Sequence, residues 1–150
     1  GTTLSVSLII ELAKHPNIKG VKDSSTGNIE KFLLAVRDVF NVMPGSANFF
    51  MNGLIMGAPG GVISLANVFP EITCKLYDLT VSKNYEEAFK LNERILQLNK
   101  SVSGTGGVAA VKYAMDLAGL YGGLPRLPLL PLANEVKKKI EDYLKKEKLI

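Results

Sequence analysis

The residue in this chain best suited to covalent chemistry is Lys22, within the stretch Asn17-Ile18-Lys19-Gly20-Val21-Lys22-Asp23-Ser24-Ser25. Ile18 to Lys22 reads as a short buried strand ending on the lysine, with a polar turn and a new helix after it. Strand side chains alternate, so Ile18, Gly20 and Lys22 share one face while Lys19 and Val21 take the other. In a sheet flanked by helices, ligands and catalytic groups gather at the carboxyl ends of parallel strands. An ammonium held there in a partly apolar cavity is poorly solvated, so more of it exists as free amine, and a free amine attacks a carbonyl carbon. Spacing alone favours the plainer alternative, a lysine that ends a strand and extends to solvent. The other candidate nucleophile, Cys74, lies in an apolar helical pattern and is expected to be a small buried side chain. As the single cysteine of the chain, it also excludes an internal disulfide and a multi-cysteine metal site.

The elements that must hold Lys22 follow from periodicity. Ser5 to Lys14 sets Leu8, Ile9, Leu12 and Ala13 on one helical face, with Ser5 or Thr3 as the cap, and His15-Pro16 ends it. The run Asp23 to Asn28 supplies a turn and a helix cap. From Ile29 to Phe40 the stripe Ile29, Phe32, Leu33, Val36, Val39 and Phe40 faces inward, with Glu30, Lys31, Arg37 and Asp38 outward. The strand-to-helix pattern then repeats. Asn41 to Pro44 is a second strand ending at Gly45-Ser46, and Ala47 to Met56 is an apolar helix. Gly61 to Ala66 is a third strand, fully buried, and Asn67 follows it. Three strands separated by helices imply right-handed parallel crossovers and an α/β sheet.

From Pro70, suited to a first helical turn, the chain reads as helical over about 71–82, 85–103, 108–118 and 134–146. Ser103-Gly104-Thr105-Gly106-Gly107 follows a helix and lacks the Lys-Ser or Lys-Thr of a phosphate-binding loop, so it is expected to be a helix stop. The segment from Tyr121 to Pro131 is an irregular linker.

The chain has 150 residues, 47 % of them hydrophobic and 21 % charged, a balance that places it among globular proteins and outside the disordered class. The most apolar stretch, Phe49 to Leu65, is interrupted by Asn52, Gly53, Pro59 and Gly60-Gly61, which argues against a membrane span. The formal charge of +4 owes much to Lys137, Lys138, Lys139, Lys145, Lys146 and Lys148. Glu135, Glu141, Asp142 and Glu147 share that segment and Tyr143 is the single aromatic residue among the lysines, as on a solvated helix face and unlike a nucleic-acid surface. The cysteine usage fits a reducing, cytoplasmic location. Gly1-Thr2-Thr3 carries neither an initiator Met nor a leader, which leads to the expectation of a piece of something longer.

With Lys22 ending one strand, Gly45 ending the next and Gly60-Gly61-Val62-Ile63-Ser64-Leu65-Ala66-Asn67 forming the third, the chain resembles the dihydrodipicolinate synthase and N-acetylneuraminate lyase family. His15 to Ser25 is similar to that family's Schiff-base lysine motif, and Arg126-Leu127-Pro128-Leu129 to its Arg-x-Pro-Leu signature. The resemblance implies the C-terminal part of a (β/α)8 TIM barrel, with its last three strands in residues 1–67, followed by a final barrel helix and a helical extension in 68–150. The family's carboxylate-binding threonines and proton-relaying tyrosine are expected in segments ahead of Gly1.

By resemblance, Lys22 forms an imine with the ketone of pyruvate, the resulting enamine makes or breaks a carbon–carbon bond with an aldehyde or oxo-acid, and no metal or dissociable cofactor is needed. Gly45 and Ile63 match positions whose backbone lines the pyruvate pocket, and Asn67 matches one at its mouth. Ser46-Ala47 stands where typical dihydrodipicolinate synthases carry acidic residues, a departure that resembles the 4-hydroxy-2-oxoglutarate aldolase branch. Condensation with aspartate semialdehyde stays open. Assembly into a homo-oligomer follows the family's habit. The contrasting expectation is a non-catalytic half-barrel that associates with itself or with a missing N-terminal half through open sheet edges.

Overall fold

The computed structural model describes residues 3–150. Its elements run α1 (Val6–Ala13), β1 (Gly20–Asp23), α2 (Ile29–Val36), β2 (Asn41–Pro44), α3 (Phe50–Ile55), α4 (Pro70–Val81), α5 (Tyr85–Ser101), α6 (Ser103–Leu117) and α7 (Asn134–Lys146), with 3₁₀ turns at Ala47–Phe49 and Ser64–Asn67. They fall into two compact units. One comprises the described residues up to Ile63 together with Leu76–Phe89, and the other Ser64–Lys75 with Lys90–Ile150.

In the first unit β1 and β2 pair in parallel, joined across α2, with Gly20 opposite Asn41, Val21 opposite Val42, Lys22 opposite Met43 and Asp23 opposite Pro44. Val42 is fully buried and belongs to a core with Ile9, Ile29, Phe32, Leu33, Val36 and Phe40, against which Val21 also packs. The opposite face of the pair carries Gly20, Lys22 and Asn41, all exposed. Ser5 caps α1, its Oγ accepting the Leu8 N–H at 3.1 Å. Leu8 lies at the edge of the apolar stripe and is exposed. α2 ends four residues earlier than the stripe to Phe40 implies. The Val39 N–H turns back to the Val36 carbonyl at 3.0 Å, which swings Val39 outward to 75 % exposure and returns Phe40 to the core.

The third strand expected over Gly61 to Ala66 does not form a ladder. The Val62 N–H donates to the Pro44 carbonyl at 2.9 Å, and from Ser64 the backbone winds into a 3₁₀ turn. In a parallel pair each residue returns an N–H on the side where its carbonyl accepts. Pro44 has no N–H to return, so the pairing stops at one bond. The architecture is that of part of a (β/α)8 barrel, with two regular strands and one extended segment.

In the second unit Leu65, Ile95, Leu98, Val102, Ala110, Ala114, Ile140 and Leu144 are buried, and α6 packs on α7 and on the Ser64–Asn67 turn. The glycine-rich stretch expected to stop a helix does interrupt one, since Gly106 and Gly107 leave helical geometry and divide α6 into two helical runs. Gly107 has φ +55° and ψ −135°, a backbone that side-chain-bearing residues rarely adopt, and regular winding resumes at Val108. α4 begins at Pro70 as its fixed φ favours. Cys74 is exposed, contrary to the expectation of burial. Of α4, Thr73 is buried in this unit and Leu76 and Thr80 in the first, and the two threonine hydroxyls donate to main-chain carbonyls one turn back, Thr73 to Phe69 at 3.2 Å and Thr80 to Leu76 at 2.7 Å. Satisfied in this way, the threonines take the buried face, and Cys74 is left outside it. Among the described residues no helix is long and apolar enough to cross a membrane.

Candidate active site

β1 is four residues long, and its carboxyl end is fixed by what Asp23 bonds to. Val21 and Asp23 point to the helix-covered side, so Lys22 projects from the other. The Asp23 carbonyl accepts the Gly45 N–H at 2.7 Å, tying the end of β1 to the residue after β2. Gly45 then lies directly beneath the lysine. A Cβ added there would come within 2.6 Å of Lys22 Cε and 2.7 Å of the Asp23 carbonyl oxygen, and would also collide with Ser24 Oγ. The missing side chain at position 45 is therefore what lets the Lys22 stem cross from one strand end to the other.

The turn after β1 is built by side chains. Asp23 is buried, at 8 % exposure, and its Oδ1 accepts both the Ser25 N–H at 3.1 Å and the Ser25 hydroxyl at 2.6 Å. Ser25 Oγ in turn accepts from Asn28 Nδ2 at 3.0 Å, where Asn28 is the N-cap residue of α2. Asn28 makes no side-chain cap bond to the helix itself. The polar run expected to give a turn and a cap is thus a relay that spends its cap side chain on Ser25. Sequence reasoning passed over Asp23, whose only signal is an acidic residue at a strand end followed two positions later by a serine.

Lys22 itself is exposed. The partly apolar cavity expected around it is not built by the described residues, because the face of the β1–β2 pair that carries it is uncovered. Gly45 is half-buried beside it. Ile63 is buried, at 7 % exposure, next to Val62, whose N–H holds this segment to the end of β2. The structure therefore gathers Lys22, Gly45 and the Ile63 segment at the carboxyl ends of the strands. Asn67 lies in the second unit, where its amide donates to the Ser64 carbonyl at 3.1 Å and it borders a cavity of about 510 Å³ with Ser64, Ser103 and Lys112. Arg126 sits exposed in the irregular segment after α6. Among the described residues no three His, Cys, Asp or Glu side chains converge on a point that could hold a metal ion.

Comparison with known proteins matches residues 1–147 to the Dihydrodipicolinate synthetase family. A 4-hydroxy-tetrahydrodipicolinate synthase of Methanosarcina barkeri is 33 % identical over 97 % of this chain and 51 % of its own length. Among solved structures, a putative dihydrodipicolinate synthase from Thermus thermophilus is 30 % identical, with a TM-score of 0.84 over 99 % of this chain and 53 % of that one. The chloride-inhibited dihydrodipicolinate synthase of Acinetobacter baumannii, complexed with pyruvate, is 26 % identical with a TM-score of 0.89 over 97 % of this chain and 51 % of that one. The chain spans about half the length of the relatives it matches.

Proposed function

Since the chain belongs to the Dihydrodipicolinate synthetase family, we propose that it is the lysine-bearing portion of a pyruvate-dependent lyase working through an imine on Lys22. The observation that carries this reading is the placement of Lys22 at the carboxyl end of β1, its stem lying over Gly45 at the end of the neighbouring parallel strand. In the reaction, the Lys22 amine adds to the ketone carbon of pyruvate, and loss of water leaves a protonated imine. That cation withdraws electrons, so a methyl proton leaves and an enamine forms. The enamine carbon attacks an aldehyde carbon, the aldehyde oxygen takes up a proton, and water hydrolyses the new imine to free product and Lys22. Run backwards, the same steps cleave a 4-hydroxy-2-oxo acid to pyruvate and an aldehyde. The imine on the lysine is the electron sink, so the scheme needs no further cofactor.

Ser46 and Ala47 put a hydroxyl and a methyl at the end of β2, and the Ser46 hydroxyl is engaged by the Asn48 N–H at 3.2 Å. That neutral end supports a 4-hydroxy-2-oxoglutarate aldolase-like substrate. The name of the Methanosarcina relative supports the alternative, 4-hydroxy-tetrahydrodipicolinate synthesis. The exposure of Lys22 favours a second reading, a non-catalytic half-barrel that only associates with a further copy or with a separate N-terminal half.

The test is incubation with pyruvate and borohydride, then peptide mapping by mass spectrometry alongside sedimentation. A reduced pyruvate adduct on Lys22, absent in Lys22→Ala, is the expected result. An adduct distributed over several surface lysines would overturn the assignment, and an associated chain that gives no adduct would favour the non-catalytic half-barrel, which a well-behaved monomer counts against.

A further inference from the structure

We propose that Asp23 is a positioning residue for Lys22, its carboxylate and main-chain carbonyl together fixing the segments that meet around the lysine. The inference rests on the reading of Lys22 as the imine-forming residue. Lys22 and Asp23 are consecutive on β1, so their side chains leave on opposite faces and a backbone rotation that moves one moves the other. Asp23 anchors this corner through both its main chain and its side chain. Its carbonyl holds Gly45 at 2.7 Å, and its Oδ1 holds the Ser25 N–H and hydroxyl at 3.1 and 2.6 Å. Through Ser25 it reaches Asn28 at the start of α2. The end of β1, the residue after β2 and the first turn of α2 are thereby joined at one residue. Ser24, bracketed by Asp23 and Ser25, is held against Gly45 together with the Lys22 stem.

The energetics point to function over stability. The carboxylate is buried, and no donor among the described residues reaches its Oδ2. A carboxylate costs more to bury than a well-packed apolar residue. Such local exceptions to the rules of folding cluster where geometry serves chemistry. What Asp23 gains in return is a fixed direction for Lys22, and small errors of placement at a reacting amine are costly in rate.

The test compares wild type with Asp23→Ala, Asp23→Asn and Ser25→Ala at saturating pyruvate, following both the rate constant and the final extent of borohydride-trapped adduct on Lys22. Asp23→Ala and Ser25→Ala are expected to lower the rate constant by about tenfold or more with the final extent unchanged, whereas Asp23→Asn, which keeps an acceptor facing Ser25, stays within about threefold. A merely structural role would lower the rate constant only in proportion to the lost folded fraction, which urea denaturation of the same variants measures, because refolding feeds the irreversible trapping. A rate constant unchanged in Asp23→Ala overturns the proposal. If wild type forms no Lys22 adduct, the functional reading fails separately, and amide hydrogen exchange decides the role of Asp23. Faster exchange at Ser25 and Gly45 in Asp23→Ala supports the role, and equal rates overturn it.

Discussion

A methyl group at position 45 would press on Lys22 Cε from 2.6 Å and on the Asp23 carbonyl oxygen from 2.7 Å, distances that side chains in folded proteins do not tolerate. Two of the groups met, the lysine stem and the Ser24 hydroxyl, are side chains that can move aside, and the third is backbone, which cannot without breaking the bond to the Gly45 N–H. Gly45→Ala is therefore expected to cost about 1–3 kcal/mol of stability, the range for forced overpacking. It should also displace Lys22 and slow pyruvate trapping. Urea denaturation and the trapping assay check the two effects separately, and a variant as stable and as reactive as wild type would contradict the geometry. The residue scale is also where sequence reading was least complete. Lys22 and Gly45 were both legible as strand-end positions, yet their contact joins residues far apart in the chain. Asp23 was legible as polar turn material and emerged as the anchor of the turn.

At the scale of elements, α1 is a helix of 8 residues, marginal on its own and dependent on its cap and its packing. Ser5 Oγ satisfies the Leu8 N–H at 3.1 Å, one of the donors a helix start leaves without a partner. Ser5→Ala should destabilise the first unit by about 1 kcal/mol. The check is a lower urea midpoint, with Ser5→Asp retaining most of the wild-type value because aspartate caps as well. Equal midpoints for Ser5→Ala and wild type would mean that packing of Ile9 alone holds α1 in place. The same local logic placed Pro70 at the start of α4 and Asn134–Lys146 in α7, since capping and periodicity act within a turn or two. It failed for the segment Gly61 to Ala66, where β-branched residues suit a strand but the neighbour offers a proline with no N–H.

For the molecule as a whole, the titrating groups of the second unit set a pH limit. Burial raises the Tyr143 hydroxyl above its ordinary value, reinforced by Glu147 and opposed by a hydrogen bond with Ser101 and by Arg94. Tyr113 is raised for the same first reason, with Glu141 adding and Lys145 opposing. Lys145 is raised chiefly by its hydrogen bond to Glu141, at 2.6 Å. All three hold their protons more tightly folded than unfolded, so their contribution is intact below the unfolded values of about 10 and is lost as pH rises through the higher folded ones. The urea midpoint should consequently fall between about pH 9 and about pH 11, and Tyr143→Phe should flatten part of that fall. A midpoint that holds or rises over that interval would contradict the raised values of these groups.

The sequence by itself determined where most helices lie, the bounds of β2, the parallel strand–helix–strand unit and the family resemblance, because propensity and alternation are fixed by near neighbours in the chain; the choice of Ser5 over Thr3 as the cap of α1 and the early end of α2 came from the structure. Tertiary structure alone decided that Lys22 is exposed, that Cys74 faces outward, that the third segment makes one bond instead of a ladder, and that Asp23 ties three segments together. Burial and hydrogen-bond partnership depend on residues distant in sequence, which no local pattern brings side by side.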